Sequence, residues 1–354
     1  MQDISPLVSP AALHRELAPD DAAVAVPRAA RQAVSDLVRG IDDRLLVVVG
    51  PCSLHEPDAG IDYAAKLARL HRELADDLFI VMRTYFEKPR TTLGWKGLIN
   101  DPHLDGSHDV GTGLRMARRF LLDVAALGLP AACEFLDPIA AGYVADLISW
   151  GAIGARTTES QVHRELASGL PMPIGFKNSV DGDPQTAIDA CRAAASGHVF
   201  LGMDSDGRAS VVTSGGNDAC HLILRGGRSG PNYRAENVAA ALDALSRAGL
   251  PAALVIDASH GNSGKDHRRQ PVVARDIGDQ VAAGNTGIVG VMLESFLVPG
   301  RQEPGRRADL VYGQSVTDAC LGFDETADVL VDLAEATRKR RATVGRPEVV
   351  AARV

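Results

Sequence analysis

The chain has 354 residues and a formal net charge of −8, with 45% of its residues hydrophobic and 23% charged. This balance is ordinary for a soluble protein and is sufficient for one large domain or two smaller ones. No run of about 18 apolar residues occurs, so the sequence predicts no membrane partner. The acidic net charge and the lack of a long basic tract argue against nucleic-acid binding.

Five cysteines are scattered along the chain without a Cys-x-x-Cys pair. This pattern disfavours a disulfide framework and favours a reducing compartment. The first five residues lack the basic-then-apolar order of a secretory signal. We therefore expect a cytoplasmic protein.

Residues 1–43 are polar, rich in alanine and interrupted by prolines. We expect them to form an N-terminal arm outside the main domain, with at most short helices such as Pro27–Val38 and a role in oligomer contacts or regulation. From residue 44 onward, short apolar runs alternate with longer helical patterns. Eight such runs are predicted to be strands: Leu45–Val49, Phe79–Met82, Ala131–Phe135, Ala152–Ala155, Pro173–Phe176, His221–Leu224, Leu254–Asp257 and Ile288–Leu293.

Buried strands that alternate with helices in this way are typical of a (β/α)8 TIM barrel, which we predict over residues 44–342. A doubly wound open sheet is the alternative, but no dinucleotide or phosphate-loop glycine pattern follows the first run. Two further runs, Val199–Met203 and Ala209–Thr213, predict a β-hairpin inserted at about residues 198–214, before the sixth strand. Residues 343–354 are expected to be a flexible tail.

Local signals also predict where several helices begin and end. Thr158-x-x-Gln161 matches a capping box, which places a helix start at that point. Pro271 and Gly284 bracket another helix in the order that helices favour, and the final helix is expected at Thr326–Arg341.

A basic segment follows the second predicted strand. Four cations, Arg83, Lys88, Arg90 and Lys96, fall between residues 83 and 96 of an otherwise acidic protein. Arginine suits bidentate recognition of phosphate or carboxylate, and lysine supplies a point charge. We interpret this segment as part of an anion-binding pocket, although charge runs are often only solvated surface.

Reactive or charged residues lie at or just beyond the end of every predicted strand. In barrels of this kind the chemistry comes from the C-terminal strand ends. In chain order these residues are Cys52, Arg83, Glu134, Arg156, Lys177, Arg225, Asp257 with His260, and Glu294, and Asp318 follows. We interpret this convergence as a functional site.

The strand-end residues divide into two chemical groups. The cations exceed any plausible internal partners and would repel one another without an anionic substrate. The other group, Cys52, His260, Glu294 and Asp318, offers a thiolate, an imidazole and two carboxylates to a divalent ion of borderline character. Each of these residues also has an ordinary interpretation, as a packing cysteine, a loop histidine or a helix cap. A buried carboxylate such as Glu294 nevertheless requires a cationic partner.

Together these motifs resemble the type I, feedback-regulated 3-deoxy-D-arabino-heptulosonate 7-phosphate (DAHP) synthases, which condense phosphoenolpyruvate with erythrose 4-phosphate in the first step of the shikimate pathway. The resemblance runs from about residue 44 to 340. The matching segments are Gly50–Ser53, Arg83–Pro102, Gly154–Gln161, Gly175–Asn178, Leu224–Gly227, Ser259–Ser263, Val291–Ser295 and Ser315–Cys320.

The resemblance implies a role for each candidate residue. It implies a divalent metal, with Mn²⁺ expected first and Fe²⁺, Co²⁺ or Zn²⁺ as alternatives, held by Cys52, His260, Glu294 and Asp318. It implies that phosphoenolpyruvate is bound by Arg83, Lys88, Ala155, Arg156, Lys177 and Arg225. It implies that erythrose 4-phosphate is bound by Pro89, Arg90, Thr91 and Asp318. The catalytic residues would be Lys177, Glu134 and His260.

The resemblance also implies an aromatic amino acid as effector and a homodimer or homotetramer. The candidate effector pocket comprises Asp137, Leu166, Leu170 and Phe200. Pro171 and Gly202 stand where the family frequently has serine, so the identity of the effector stays open.

Three other functions compete with this interpretation. A 3-deoxy-octulosonate 8-phosphate synthase would share the barrel but use a pentose phosphate, and the Lys88–Thr92 segment argues against it. A Schiff-base aldolase would use Lys177 as its nucleophile. A non-catalytic sugar-phosphate sensor would have no need of a metal site.

Overall fold

The structure is a computed structural model that describes residues 4–90 and 92–345. The predicted substrate residue Thr91 and residues 346–354 of the predicted tail therefore lie outside the described residues. The strands are β1 (Leu45–Gly50), β2 (Leu78–Arg83), β3 (Ala131–Glu134), β4 (Trp150–Ile153), β5 (Ile174–Lys177), β6 (Val199–Met203), β7 (Ala209–Thr213), β8 (His221–Leu224), β9 (Leu254–Asp257), β10 (Ile288–Glu294), β11 (Val298–Arg301) and β12 (Gln314–Ser315). The helices are α1 (Pro10–Glu16), α2 (Asp21–Val38), α3 (Pro57–Glu73), α4 (Val110–Ala126), α5 (Pro138–Val144), α6 (Gln161–Gly169), α7 (Gln185–Ala194), α8 (Ala235–Arg247), α9 (His260–Ser263), α10 (Gln270–Ala282) and α11 (Phe323–Val344).

Eight of these strands close into a parallel barrel in the order β1-β2-β3-β4-β5-β8-β9-β10 and back to β1. The barrel strands are buried along their whole length because helices cover the outside and side chains fill the inside. β6 and β7 form a separate antiparallel hairpin between α7 and β8. The predicted (β/α)8 barrel with a hairpin before its sixth strand is confirmed.

Alternating residues of each strand face the two sides of the barrel wall. Val48, Val81 and Met292 belong to the cluster that fills the interior, whereas Val47 and Val49 pack among the surrounding helices. This arrangement directs the residues at the upper strand ends into one central space.

Helix α2, which the sequence assigned to the N-terminal arm, closes the lower end of the barrel. Val34 and Leu37 join the interior cluster, and Arg31 donates hydrogen bonds to the carbonyl oxygens of Ala145 and Ile148 at 2.7 and 2.9 Å. The helix begins at Asp21, where the side chain of Asp20 accepts a hydrogen bond from the backbone of Ala23, and it contains Pro27. Residues 21–38 therefore share the core of the barrel.

The predicted capping box at Thr158 is wrong. Helix α6 begins at Gln161 after Ser160, with no side-chain cap. The Thr158 hydroxyl is instead 2.8 Å from the carbonyl oxygen of Lys177 and 3.0 Å from that of Gly154. A tertiary contact with β5 has replaced the local cap, so Thr158 ties the loop after β4 to the end of β5.

Candidate active site

A cavity of about 620 Å³ opens at the C-terminal ends of the barrel strands. Its lining includes most of the residues that the sequence singled out: Lys88, Pro89, Arg90, Glu134, Ala155, Arg156, Lys177, Arg225, His260 and Asp318. Cys52, Arg83 and Glu294 are buried and absent from this lining. The cavity is thus bounded by a cationic wall of Arg156, Lys177 and Arg225, and the Cys52 thiol and the Glu294 carboxylate lie buried beneath it.

Three potential metal ligands meet at one edge of the cavity. One ligand atom from each of Cys52, Glu294 and Asp318 lies within 4.8 Å of the other two. The Nε2 atom of His260 is 3.7 Å from the Oε1 atom of Glu294, which brings the imidazole to the same cluster. A thiol, an imidazole and two carboxylates form a donor set that suits a borderline divalent ion, so the residues present fit the metal implied by the resemblance.

Asp257 orients the imidazole of His260. The Nδ1 atom of His260 is 2.7 Å from Asp257 Oδ2, which leaves Nε2 directed at Glu294. The Nζ atom of Lys177 is 3.3 Å from the same carboxylate oxygen. Burial alone would raise the pKa of Asp257, but the neighbouring His260 and Lys177 hold that pKa well below its ordinary value. One buried carboxylate therefore fixes both the histidine and the lysine.

Glu294 is held at the end of β10 from several directions. Gln270 donates to the Glu294 carbonyl oxygen at 3.0 Å and accepts from its backbone amide at 2.9 Å. An Nη atom of Arg83 lies 3.1 Å from Glu294 Oε1, and both side chains are almost completely buried. The carboxylate thus has the cationic partner that its burial requires.

The pairing of β1 with β10 brings Cys52 to this carboxylate. Gly50 lies opposite Glu294 in the parallel register, and Cys52 follows two residues later. Gly50 has a φ of 155°, and an added Cβ would come within 2.8 Å of the backbone oxygen of Arg83. Burial, together with the charge of Glu294, raises the pKa of the Cys52 thiol.

The cationic wall is built on the neighbouring strand ends. The side-chain oxygen of Asn178 accepts a hydrogen bond from the backbone of Arg225 at 2.7 Å, and Arg156 donates to the carbonyl oxygen of Pro89 at 3.1 Å. Glu134 faces this wall from the end of β3. A Cβ added to Gly154 would collide with Glu134 Oε1, so glycine allows the loop after β4 to pass close to this carboxylate.

The segment after β2 folds back on itself and presents Lys88 to Arg90 at the cavity. The backbone amide of Lys88 donates to Lys96 at 2.9 Å, and Gly97, with a φ of 115°, lies so close to Phe86 that an added Cβ would collide with its carbonyl oxygen. The Nζ atom of Lys88 donates to the Cys52 carbonyl oxygen at 2.9 Å. This contact joins the segment to the buried cluster.

Comparison with known proteins identifies the family of the chain. The family model described as the DAHP synthetase I family matches residues 23–331. The chain belongs to the DAHP synthetase I family. It is 52% identical to the Phe-sensitive phospho-2-dehydro-3-deoxyheptonate aldolase of Escherichia coli K12, over 96% of this chain and 97% of that protein.

Two further members of the family match the chain over nearly its whole length. It is 53% identical to the Trp-sensitive phospho-2-dehydro-3-deoxyheptonate aldolase of Enterobacter agglomerans, over 95% of this chain and 97% of that protein. The solved structure of phospho-2-dehydro-3-deoxyheptonate aldolase from Francisella tularensis SCHU S4 superposes with a TM-score of 0.94 at 48% identity, covering 96% of this chain and 99% of that one. The barrel is therefore the fold of the family.

The candidate effector residues of this DAHP synthase family member lie on the side of the barrel near the hairpin. Leu166 and Leu170 are partly buried at the end of α6, and the Phe200 ring lies 3.8 Å from where a Cβ on Gly169 would be. Asp137 is exposed and accepts a hydrogen bond from Ile139 at the start of α5. Their role in binding an effector stays a prediction.

Several contacts that shape the site have no clear sequence signal. Gln270 opens α10 and reads as an ordinary helix residue, yet it anchors Glu294. Lys265 lies in a turn after α9, and its Nζ atom is 3.6 Å from Asp318 Oδ2. Asn178 directly follows Lys177 at a strand end, so the sequence gives more reason to place it near the site than Gln270 or Lys265.

No helix among residues 4–90 and 92–345 is both long enough and apolar enough to cross a membrane.

Proposed function

We propose that this protein condenses phosphoenolpyruvate with erythrose 4-phosphate and water, giving DAHP and inorganic phosphate, as the first step of the shikimate pathway. The observation that carries the proposal is the cavity at the strand ends, where a cationic wall lies beside Asp318 and the metal-type ligands buried next to it. Membership of the DAHP synthetase I family supports the same reaction.

Phosphoenolpyruvate is assigned to the cationic wall. Arg156, Lys177 and Arg225 line the cavity, and their charges offset the negative charge of its phosphate and carboxylate groups. Arg83, which is fully buried beneath the cavity, would contribute its positive potential from below. The backbone of Ala155 and the side chain of Lys88 would complete this subsite.

Erythrose 4-phosphate is assigned to the segment after β2, where Pro89 and Arg90 line the same cavity as Asp318. Arg90 would hold the phosphate and Asp318 would face the hydroxyl groups, with Thr91 as the third residue of the predicted subsite. This placement brings the aldehyde carbon toward the bound phosphoenolpyruvate. Holding two anions in one orientation lowers the entropic cost of their reaction.

The reaction forms one C–C bond, adds the oxygen of water to C2 and breaks the C–O bond between C2 and the phosphate group. C3 of phosphoenolpyruvate attacks the aldehyde carbon of erythrose 4-phosphate, and the aldehyde oxygen takes up a proton to become a hydroxyl group. Water adds to C2, and we propose that the Lys177 ammonium group orients it while Glu134 accepts its proton. The resulting hemiketal phosphate then collapses, with loss of inorganic phosphate to the solvent.

We propose that the enzyme depends on a divalent metal held by Cys52, His260, Glu294 and Asp318, with Mn²⁺ as the first candidate. When bound, such an ion supplies Lewis-acid polarisation of the aldehyde carbonyl. The residues themselves are fixed by Asp257, Gln270 and Arg83, so that their donor atoms converge. Activity that survives complete removal of divalent ions would contradict this part of the proposal.

Regulation, assembly and location are also proposals. The names of the Phe-sensitive and Trp-sensitive relatives support an aromatic amino acid as effector. The outer face of the hairpin exposes Val199, Leu201 and Val211 by 68%, 90% and 71%, which supports association of two or four copies in solution. A cytoplasmic location is proposed from the cysteine pattern.

The deciding experiment measures phosphate release from phosphoenolpyruvate with erythrose 4-phosphate. We expect release that stops after chelation and returns with Mn²⁺. Arabinose 5-phosphate in place of erythrose 4-phosphate tests the octulosonate alternative, and borohydride trapping tests an imine at Lys177. The pairing of Lys177 with Asp257 argues against that imine, since imine formation requires a neutral amine. No release with any divalent ion would overturn the proposed function.

A further inference from the structure

Tyr85 is a buried aromatic residue beneath the proposed phosphoenolpyruvate subsite. It follows Arg83 by two residues, and both side chains are fully buried. The ring joins Val81, Ala132 and Met292 in the cluster that fills the upper barrel interior. Its backbone carbonyl accepts a hydrogen bond from Leu54 at 2.9 Å, which ties the loops after β1 and β2 together. The position of the ring is therefore fixed.

The ring of Tyr85 faces two cations. The guanidinium carbon of Arg83 lies 3.9 Å from the ring centroid, and the Nζ atom of Lys88 lies 5.6 Å from it. Both distances fall within the range of about 6 Å over which an aromatic face attracts a cation, and the attraction is strongest when the pair is desolvated. One buried ring thus lies within cation–π distance of both Arg83, at the end of β2, and Lys88, in the segment that follows it.

An aromatic face differs from a carboxylate in one respect that matters for this site. A carboxylate orients a cation but neutralises its charge, whereas an aromatic face orients the cation through its quadrupole and leaves the net positive charge in place. The substrate assigned to this subsite carries several negative charges, so it benefits from cations that are held still and not neutralised. Tyr85 satisfies that requirement for Lys88, whereas the charge of Arg83 is balanced by Glu294 and Tyr85 only helps to hold its guanidinium in place.

The hydroxyl group of Tyr85 takes no part in the contact with the two cations. Burial raises the pKa of this phenol well above its ordinary value, against the opposing charge of Arg83, so the group stays neutral. Within the described part of the chain it has no hydrogen-bond partner. The contact with the cations therefore depends on the ring and not on the hydroxyl.

We propose that Tyr85 is a positioning residue for phosphoenolpyruvate, whose ring holds Arg83 and Lys88 by cation–π contact and leaves the charge of Lys88 available to the substrate. This inference rests on the proposed function. It assigns to Tyr85 a contribution to substrate affinity, without direct contact between Tyr85 and the reacting atoms.

The test first compares the effect of removing the Tyr85 hydroxyl with the effect of removing the ring. It then changes the electrostatics of the ring while keeping its shape. Tyr85→Phe keeps the ring and should leave the KM for phosphoenolpyruvate within about twofold, whereas Tyr85→Leu should raise it about tenfold with a smaller change in kcat. A series of phenylalanines with increasing ring fluorination at position 85 keeps the shape but weakens the quadrupole. Across that series the KM and the calorimetric Kd for phosphoenolpyruvate should rise with each added fluorine, in the metal-loaded enzyme.

Tyr63 offers a matched control. It is also fully buried, but its ring contacts Phe296 and Phe323. Tyr63→Leu should lower thermal stability without the rise in KM. An active wild type with a flat fluorination series would overturn the inference alone, even if Tyr85→Leu fails to fold. A wild type that neither binds phosphoenolpyruvate nor releases phosphate would overturn the proposed function and this inference with it.

Discussion

The two sides of the cavity are built differently. On the strand-end side, Lys177 lines the cavity and Asp257 and Glu294 lie buried behind it, and all three are at most 3% exposed and held by a charged partner. The loop side is the segment after β2, where Arg90 is exposed and Leu93 is 95% exposed. The buried side is preorganised, which suits the chemical step, whereas the exposed side can adjust to a substrate. The difference suggests that chemistry and the choice of sugar phosphate are controlled by separate parts of the barrel.

The largest effect is expected from the strand-end side. Lys177→Met removes a charge that Asp257 now balances, together with the group proposed to orient the attacking water. We expect kcat for phosphate release to fall by about 10²- to 10⁴-fold, the range typical for loss of a group that acts in a proton-transfer step. Steady-state kinetics with thermal unfolding as a folding control will measure this. A variant with near-normal kcat would contradict the proposed role of Lys177.

The next largest effect concerns the orientation of His260. Asp257→Asn removes the carboxylate charge that lies 2.7 Å from Nδ1 of the imidazole. Loss of such an outer contact typically lowers metal affinity by about 10- to 100-fold. Titration with Mn²⁺, followed by the spin-resonance signal of the free ion, measures this without reference to turnover. Asp276→Asn, which makes the same change at a carboxylate paired with Arg234 away from the cavity, is the control and should leave the affinity for Mn²⁺ unchanged.

A smaller and more selective effect is expected from the loop side. Arg90→Ala should raise the KM for erythrose 4-phosphate by about tenfold and leave the KM for phosphoenolpyruvate unchanged, because the loss of a charge-assisted hydrogen bond costs about 1.5–3 kcal/mol. Arg228→Ala is the matched control, since Arg228 also lines the cavity but is paired with Asp181 on the surface. Equal changes in both KM values would remove the distinction between the two sides.

The fourth effect concerns protein stability and leaves the substrates aside, and it comes from Glu87 in the segment after β2. Burial, followed by the charge of Asp137, raises the pKa of Glu87 to about 7 from its ordinary 4.5. The folded protein therefore binds this proton more tightly than the unfolded chain, so the contribution to stability is complete below pH 4.5 and is lost as pH rises through about 7.

Glu87→Gln should remove this dependence. Between pH 5 and pH 8 the wild type should lose about 1–3 kcal/mol of unfolding free energy relative to the variant, at about 1.4 kcal/mol for each pKa unit. Urea denaturation at the two pH values provides the measurement. Parallel stability curves for the two proteins would show that the Glu87 carboxyl does not titrate as described.

The sequence by itself determined the architecture and the residues at the strand ends. Apolar runs of strand length, separated by helical patterns, specify the barrel because both periodicities are local properties of the chain. The hairpin was predicted with its observed bounds, Val199–Met203 and Ala209–Thr213, for the same reason. Cys52, His260, Glu294 and Asp318 could be grouped because a closed barrel brings all its strand ends to one face.

Tertiary structure alone decided which of these residues touch one another. Helix α2 closes the barrel because its apolar face matches the interior cluster, and nothing within residues 21–38 specifies that partner. Thr158 bonds to the carbonyl oxygen of Lys177 and caps no helix, because a contact with β5 outcompeted the local one. The pairings of Asp257 with Lys177 and of Arg83 with Glu294 join residues far apart in the chain. Such pairings depend on how the strands register around the barrel, and no local pattern encodes that register.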